Sequence, residues 1–219
     1  MSNLLILVSI AATLIYGSRF FAASGGWSKA LVKTCAVGSL AVYAQVAGAP
    51  WLLVVALALS SAGDFFLAFD GEKPFLAGLA SFLLAHVVYV VAFREVGLPL
   101  AVIGAETGRL AGAIAIVAGC LGLLGWLWGH LGAMRAPVVA YTVAIVAMVV
   151  AALALDGRPT AILGAFAFAL SDSCLAAITF RLKEGKLATV WLPLAVWWLY
   201  WGAQVMILAG FVRLATAIR

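Results

Sequence analysis

Residues 60–89 read SSAGDFFLAFDGEKPFLAGLASFLLAHVVY, and two apolar segments in this stretch flank a short polar turn. Asp64 lies in the first segment and His86 in the second. Both segments have the composition of helices embedded in lipid, where an ionisable side chain costs roughly 3 kcal/mol or more and usually serves a function. The stretch therefore predicts two membrane helices that carry functional polar groups.

The composition of the whole chain is that of a membrane protein. Of its 219 residues, 67% are hydrophobic and only 10% are charged, whereas a soluble domain is about half apolar and about a quarter charged. The basic residues lie in short hinges between apolar runs, a pattern that reports membrane orientation and argues against a nucleic-acid partner. We expect residues 1–219 to form a single multi-pass domain in the lipid bilayer of the cytoplasmic membrane.

Eight segments are long and apolar enough to be transmembrane helices. The sequence therefore predicts an all-α bundle of eight spans, and it leaves the oligomeric state open. Small residues at 22–24 resemble a signal-peptide cleavage site, but no Lys or Arg precedes the first apolar core, so we expect the first helix to be retained. The predicted helices cover residues 3–22, 28–48, 50–69, 74–96, 108–129, 136–155, 159–180 and 188–212.

Two expectations concern how these helices pack. The fifth helix is rich in glycine, which predicts close packing against a neighbouring helix. The eighth helix is rich in tryptophan, and we expect these side chains to face lipid or the membrane interface. The glycines include Gly112, Gly119, Gly122 and Gly125, and the tryptophans include Trp191, Trp197 and Trp198.

A second aspartate, Asp172, lies in the seventh predicted helix directly after Ser171. Asp64 and Asp172 each begin an Asp-x-x-Leu-Ala sequence, and their two helices run in the same direction in an eight-span bundle. Both aspartates lie past the midpoint of their helices, so they are expected at similar depth. The repeated frame is compatible with duplication of a four-helix unit, although a structural hydrogen-bonding role for either aspartate stays open.

Polar residues of other predicted helices fall in the same part of the bundle as the aspartates. Because helical neighbours three or four residues apart share a face, the spacing predicts polar faces that meet in one cavity, open to the end where Lys33 lies. Snorkelling of Lys33 to the lipid headgroups and simple packing of His86 are the alternatives. The candidate residues are Lys33, Asp64, His86, Tyr89, Tyr141, Ser171, Asp172, Tyr200 and Gln204.

These residues belong to motifs that resemble the lysoplasmalogenase family of membrane proteins, also called YhhN-like. Their order and spacing carry the resemblance over nearly the whole chain. Thr34-Cys35 follows Lys33 where the family often has a proline, which leaves the local bend of that helix open. The motifs are Ser61-Ala-Gly63-Asp64-Phe-Phe-Leu67, Phe75-x-x-Gly78-x-x-x-Phe82-x-x-x-His86-x-x-Tyr89, Gly164-Ala165-x-x-Phe168-x-x-Ser171-Asp172 and Tyr200-x-x-x-Gln204, with Lys33 and Tyr141.

The resemblance implies a lysophospholipid substrate and hydrolysis of its vinyl ether bond to a fatty aldehyde and a glycerophospho-alcohol. It also implies that Asp64 and Asp172 are the catalytic pair. The chemistry fits, because protonating the alkene creates an oxocarbenium ion like that of glycosidases, where two carboxyl groups in unequal surroundings supply acid and base. The sequence does not say which aspartate is the acid.

The other candidates are expected to assist this chemistry. Lys33 would hold one carboxylate ionised or bind the substrate phosphate, while Tyr141, Tyr200 and Gln204 would orient water or the glycerol. A different class of protein fits the same residues. Intramembrane aspartates with a lysine are also typical of a proton-coupled transporter of a small molecule or lipid.

The cysteines and histidines predict neither a metal nor another cofactor. Cys35, Cys120 and Cys174 each lie alone in an apolar run, and the only histidines are His86 and His130. These spacings do not supply the ligand set of a tightly held zinc ion. Treatment with a chelator is therefore expected to leave vinyl ether hydrolysis unchanged. Loss of activity that added zinc restores would contradict this prediction.

Overall fold

The computed structural model of the protein describes residues 2–21 and 24–217, and all regular secondary structure in these ranges is helical. Ala22, the predicted end of the first helix, lies outside the described residues. The longer helices are joined by short connections. The α-helices are α1 (Ser2–Ile15), α2 (Trp27–Val46), α3 (Trp51–Phe66), α4 (Glu72–Val96), α5 (Ala101–Ala105), α6 (Thr107–Leu127), α7 (Arg135–Leu153), α8 (Pro159–Phe180) and α9 (Leu192–Ala217).

The all-α membrane class predicted from the sequence is confirmed. Within residues 2–21 and 24–217, six helical segments are long and apolar enough to cross a membrane. The helix α3 is apolar but has only 16 residues, and α2 is not among the six. The count of eight spans therefore stays a prediction. The six segments are Asn3–Phe20, Glu72–Val96, Thr107–His130, Gly132–Leu153, Pro159–Phe180 and Leu187–Val212.

Several helix ends depart from regular α-geometry. The first helix continues as a π-helical turn over Tyr16–Phe20, and a second π-helical turn over Leu187–Trp191 leads into α9. Such turns occur frequently at functional sites, and both lie at the end of the bundle where α2 begins with its lysines. Residues 97–107, between the fourth and fifth predicted helices, contain the short helix α5, which was not predicted because Gly97 and Pro99 lie just before it.

Six of the described helices form a closed ring around a shared apolar core. Neighbours pack in the order α2, α3, α4, α7, α8 and α9, and α9 closes the ring against α2, while α1 packs on α2 and α6 packs outside against α7 and α8. Trp197 Nε1 donates to the Thr13 carbonyl and Trp201 Nε1 donates to Ser9 Oγ, so hydrogen bonds also join α9 to α1. These contacts place α2, α3, α8 and α9 around one interior.

The tryptophans of α9 do not all face lipid as predicted. Trp191 and Trp198 are exposed on the outside of the protein, in agreement with the prediction. Trp197 is only 2% exposed, so the prediction is wrong for this residue. It points inward because its indole N–H has a carbonyl partner on α1, which offsets the desolvation of that group.

Glycines bring α3 and α4 together close to Asp64. A Cβ atom on Gly63 would lie 2.6 Å from the Phe82 ring, and one on Gly78 would lie 2.6 Å from Leu67. The glycines of α6 behave differently, because a Cβ atom on Gly119, Gly122 or Gly125 would meet no atom within 4 Å. The prediction of close packing is wrong for these three glycines, since they lie on the side of α6 that faces away from the bundle. It is confirmed for Gly112, where a Cβ atom would lie 3.1 Å from Leu153 on α7.

The contact between Gly63 and Phe82 predicts the effect of adding one methyl group. Gly63→Ala is expected to destabilise the protein by about 1–3 kcal/mol, since the added methyl group overlaps a ring inside a packed core. Gly122→Ala is the matched control and is expected to be neutral or stabilising, since it adds helix propensity without a clash. Thermal unfolding in detergent measures both, and equal midpoints for the two variants would contradict the packing.

Candidate active site

Asp64 accepts contacts from two other helices. Lys33 Nζ on α2 lies 3.1 Å from Asp64 Oδ1, and Tyr200 on α9 donates its hydroxyl proton to Asp64 Oδ2 at 2.6 Å. The Asp64 side chain is 1% exposed and that of Lys33 is 13% exposed, so the ion pair is almost fully removed from solvent. Both carboxylate oxygens therefore face a donor, and one of these donors is a cation.

Asp172 lies among a different set of partners. The Tyr141 hydroxyl on α7 donates to Asp172 Oδ2 at 2.8 Å, and His86 Nε2 on α4 lies 3.4 Å from the same oxygen. Among the described residues, no lysine or arginine lies within ion-pair distance of Asp172. The two aspartates therefore differ in the chemistry that surrounds them.

The hydrogen bond at the other nitrogen of His86 fixes its tautomer. His86 Nδ1 lies 2.6 Å from the Phe82 carbonyl oxygen, which can only accept, so Nδ1 carries a proton. In neutral His86 the lone pair of Nε2 then faces Asp172 Oδ2 at 3.4 Å, and Nε2 makes no hydrogen bond within the part of the chain that the structure describes. A carboxylate would repel this lone pair, whereas a protonated carboxyl group would donate to it. The geometry therefore favours one proton held between Asp172 and His86.

Asp64 and Asp172 line the same cavity, whose volume is about 330 Å³. Lys33, Tyr200 and Ser171 also contribute to its wall. The hydroxyl group of Ser171 donates to the Val196 carbonyl at 2.9 Å, which joins α8 to α9 beside the cavity. The remaining wall is largely apolar. The cavity therefore combines two acids and a cation with apolar surface, an arrangement suited to a molecule that has both a charged and a hydrocarbon part.

The sequence prediction grouped residues that the structure divides between the cavity wall and the layer behind it. His86, Tyr89 and Gln204 are fully buried, and none of them lines this cavity. His86 lies behind two residues of the cavity wall, Asp172 and Phe82. Tyr89 donates to Gln204 Oε1 at 2.5 Å, on the face of α9 that also holds Tyr200. Their predicted contact with substrate stays untested, and the geometry places them behind the residues that face the cavity.

Phe168 lies between the residues that contact Asp64 and those that contact Asp172. Its ring centroid is 4.7 Å from that of His86 and 5.4 Å from that of Tyr200, and the residue is fully buried. Phe82 contacts Phe168 and Tyr200 edge-on from α4. These rings fix the side chains that contact each aspartate, so the unequal surroundings are built into the packing of the core.

Tyr16 and Trp197 are aromatic residues of the cavity wall that the predicted site did not include. Tyr16 lies in the π-helical turn after α1, and its ring is 4.1 Å from that of Trp197 and 5.9 Å from Lys33 Nζ. The position of Trp197, one helical turn before Tyr200, is the sequence signal that could have placed it on this face. No sequence signal distinguishes the π-helical turn that directs Tyr16 inward.

Among the described residues, no group of three or more His, Cys, Asp or Glu side chains is arranged to hold a metal ion. The carboxyl groups of the site instead have organic partners, namely an ammonium group, two phenols and an imidazole. The prediction that no metal takes part stays a prediction that the chelator experiment tests.

Comparison with known proteins places the chain in a family. The family model described as the YhhN family matches residues 28–211. The chain belongs to the YhhN family. This confirms the resemblance expected from the motifs.

Two curated relatives extend the comparison. They are the lysoplasmalogenases of Mycobacterium bovis and Mycobacterium tuberculosis, and each is 41% identical to this chain over 164 residues. The aligned region is 73% of this chain and 59% of each relative, so the chain spans less than two thirds of their length. No solved structure matches the chain.

Proposed function

We propose that this protein hydrolyses the vinyl ether bond of lysoplasmalogens by acid-base catalysis with Asp64 and Asp172. The observation that carries the proposal is that both aspartates line one cavity but have different partners. The name of the two mycobacterial relatives supports the choice of substrate. The products would be a fatty aldehyde and a glycerophospho-alcohol.

Asp64 is assigned the role of the ionised carboxylate. Its ion pair with Lys33 and its hydrogen bond from Tyr200 both favour the charged form. Asp172 is assigned the role of the proton donor, because the lone pair of His86 Nε2 favours a protonated carboxyl group at 3.4 Å. Two carboxyl groups whose surroundings favour opposite protonation states are the usual arrangement for acid and base catalysis.

The reaction uses this division in order. Asp172 gives its proton to the alkene carbon that does not bear the ether oxygen, and the resulting oxocarbenium ion is stabilised by the Asp64 carboxylate. A water molecule adds to the cationic carbon and loses a proton to Asp64, which gives a hemiacetal. The hemiacetal breaks its bond to the glycerol oxygen, releasing aldehyde and alcohol. The proton on Asp64 then returns to Asp172, so one water is consumed and no residue is altered.

The other residues of the site would position these groups. Lys33 holds Asp64 ionised, and its partial exposure to the cavity also allows it to attract the substrate phosphate. Tyr200 and Tyr141 fix the orientation of the two carboxyl groups. His86 holds the proton of Asp172 in place. Tyr89 and Gln204 pack behind Tyr200, so we assign them a positioning role and no contact with substrate.

This proposal also includes eight spans in one domain of residues 1–219. The helices α2 and α3 belong to the same ring as α4, α7, α8 and α9 and supply Lys33 and Asp64 to its interior. The helix α3 is about 24 Å long, shorter than a hydrocarbon core of about 30 Å. If its N-terminal end lies at one surface, its C-terminal end, which carries Asp64, would stop short of the other surface, below the lysophospholipid headgroups.

Replacement of each aspartate by asparagine tests the assignment. Asp64→Asn and Asp172→Asn keep the shape of the side chain but remove its acid-base chemistry, so each is expected to lower turnover about a hundredfold or more. The double variant is expected to be little worse than the poorer single variant, because the two residues act as one unit. Aldehyde release from a lysoplasmalogen, normalised to monodisperse protein in detergent, measures the effect.

Glu184→Gln is the matched control, since Glu184 is an exposed carboxylate between α8 and α9 and is expected to keep full activity. Retention of more than about a third of wild-type turnover in either asparagine variant would show that this aspartate is neither acid nor base. A wild-type protein that releases no aldehyde but moves protons or lipid across vesicles would favour the transporter.

A further inference from the structure

A second, narrower cavity meets the first at Asp172. Its volume is about 70 Å³, and it lies among α4, α6, α7 and α8. Its wall is almost entirely apolar, with leucines of α6 and phenylalanines of α4 and α8. Tyr141 and Asp172 are the acidic or phenolic groups that reach it. We refer to this space as the apolar arm and to the cavity at Lys33 and Asp64 as the polar cavity.

Asp172 lies at the junction because it contributes to the walls of both spaces. Leu67, Phe82 and Leu175 also line both spaces, so the two cavities are adjacent. Lys33, Asp64 and Tyr200 face only the polar cavity, whereas Tyr141 faces only the apolar arm. A molecule that extends past Asp172 therefore passes from a charged environment into an apolar one.

This order of environments matches the order of groups in the proposed substrate. In a lysoplasmalogen the charged headgroup and glycerol stand on one side of the vinyl ether, and a single hydrocarbon chain stands on the other. With the vinyl ether at Asp172, the glycerophospho group lies toward Lys33 and the chain enters the apolar arm. The reverse orientation would bury a phosphate among leucines, which costs far more than the contacts it could form.

We infer that the apolar arm is the binding site for the hydrocarbon chain of the substrate, and that its inner end sets the chain length that the protein accepts. This inference rests on the proposed function for the identity of the lipid. Cys120 and Ile145 are the lining residues of α6 and α7 that lie deepest from the Lys33 end of the bundle. They are 7% and 6% exposed, so a larger side chain there would fill the arm and not the surrounding lipid.

Cys120→Trp tests the inference by filling the inner end of the arm. The preference for a long-chain over a short-chain lysoplasmalogen, as a ratio of kcat/KM values, is expected to fall at least about tenfold, since each lost methylene contact weakens binding by that order. Leu121→Trp is the matched control, because Leu121 is the next residue on α6, is 61% exposed and does not line the arm. Its preference is expected to equal that of the wild type.

Ile145→Ala changes the same inner end of the arm in the opposite way, because it enlarges the space and does not fill it. It removes side-chain atoms at the inner end, so the preference for the long chain is expected to rise. The inference is overturned if Cys120→Trp and Ile145→Ala both change activity on the two substrates by the same factor, or if Leu121→Trp changes the preference as strongly as Cys120→Trp.

A binding measurement separates failure of this inference from failure of the proposed function. The probes are short-chain and long-chain 1-alkyl lysophospholipids, which lack the vinyl ether and cannot be cleaved. The long-chain probe is expected to raise the melting temperature of the wild type and of Leu121→Trp but not of Cys120→Trp. That result without any aldehyde release would refute the hydrolase and keep the chain-binding arm. Equal shifts in all three proteins, with aldehyde release intact, would refute the arm alone.

Discussion

The buried ion pair between Lys33 and Asp64 is the interaction on which the rest of the site depends. Its two side chains are 13% and 1% exposed, and charges so far from water are tolerated only when their remaining bonding positions are also filled. The Tyr200 hydroxyl group donates to the second oxygen of Asp64, which requires α9 to lie close enough to α3 for this side chain to reach across the interior. The ring in which α9 returns to α2 is the fold that satisfies this requirement.

The pair also creates the difference between the two aspartates. With Lys33 committed to Asp64, Asp172 has only a phenol and an imidazole beside it. Each aspartate is contacted from the opposite half of the chain, since Tyr200 of α9 reaches Asp64 and His86 of α4 reaches Asp172. This reciprocal contact between the two halves of the chain fits the repeated Asp-x-x-Leu-Ala frame. Two copies of a duplicated four-helix unit would pack so that each supplies partners to the aspartate of the other.

Much of this arrangement could be predicted because ionisable residues are rare in apolar helices. That rarity identified Lys33, Asp64 and Asp172 as one group, and the structure places all three on one cavity. Helical spacing could not tell which polar groups face that cavity. The rotation of each helix about its own axis decides which side chains point into the cavity, and the sequence does not give that rotation. Tyr89 and Gln204 therefore turn out to lie behind the wall, and Trp197 to line it. Gly63 and Gly122 look alike in the sequence, but only Gly63 meets a neighbouring ring.

The central claim is that Asp172 holds a proton while Asp64 is ionised before substrate binds. Infrared spectroscopy at neutral pH tests it directly, because a protonated carboxyl group has a carbonyl stretching band that a carboxylate lacks. The account predicts such a band from a buried group in the wild type, its retention in Asp64→Asn and its loss in Asp172→Asn. Loss of the band in Asp64→Asn with retention in Asp172→Asn would contradict the account and reverse the roles of the two residues.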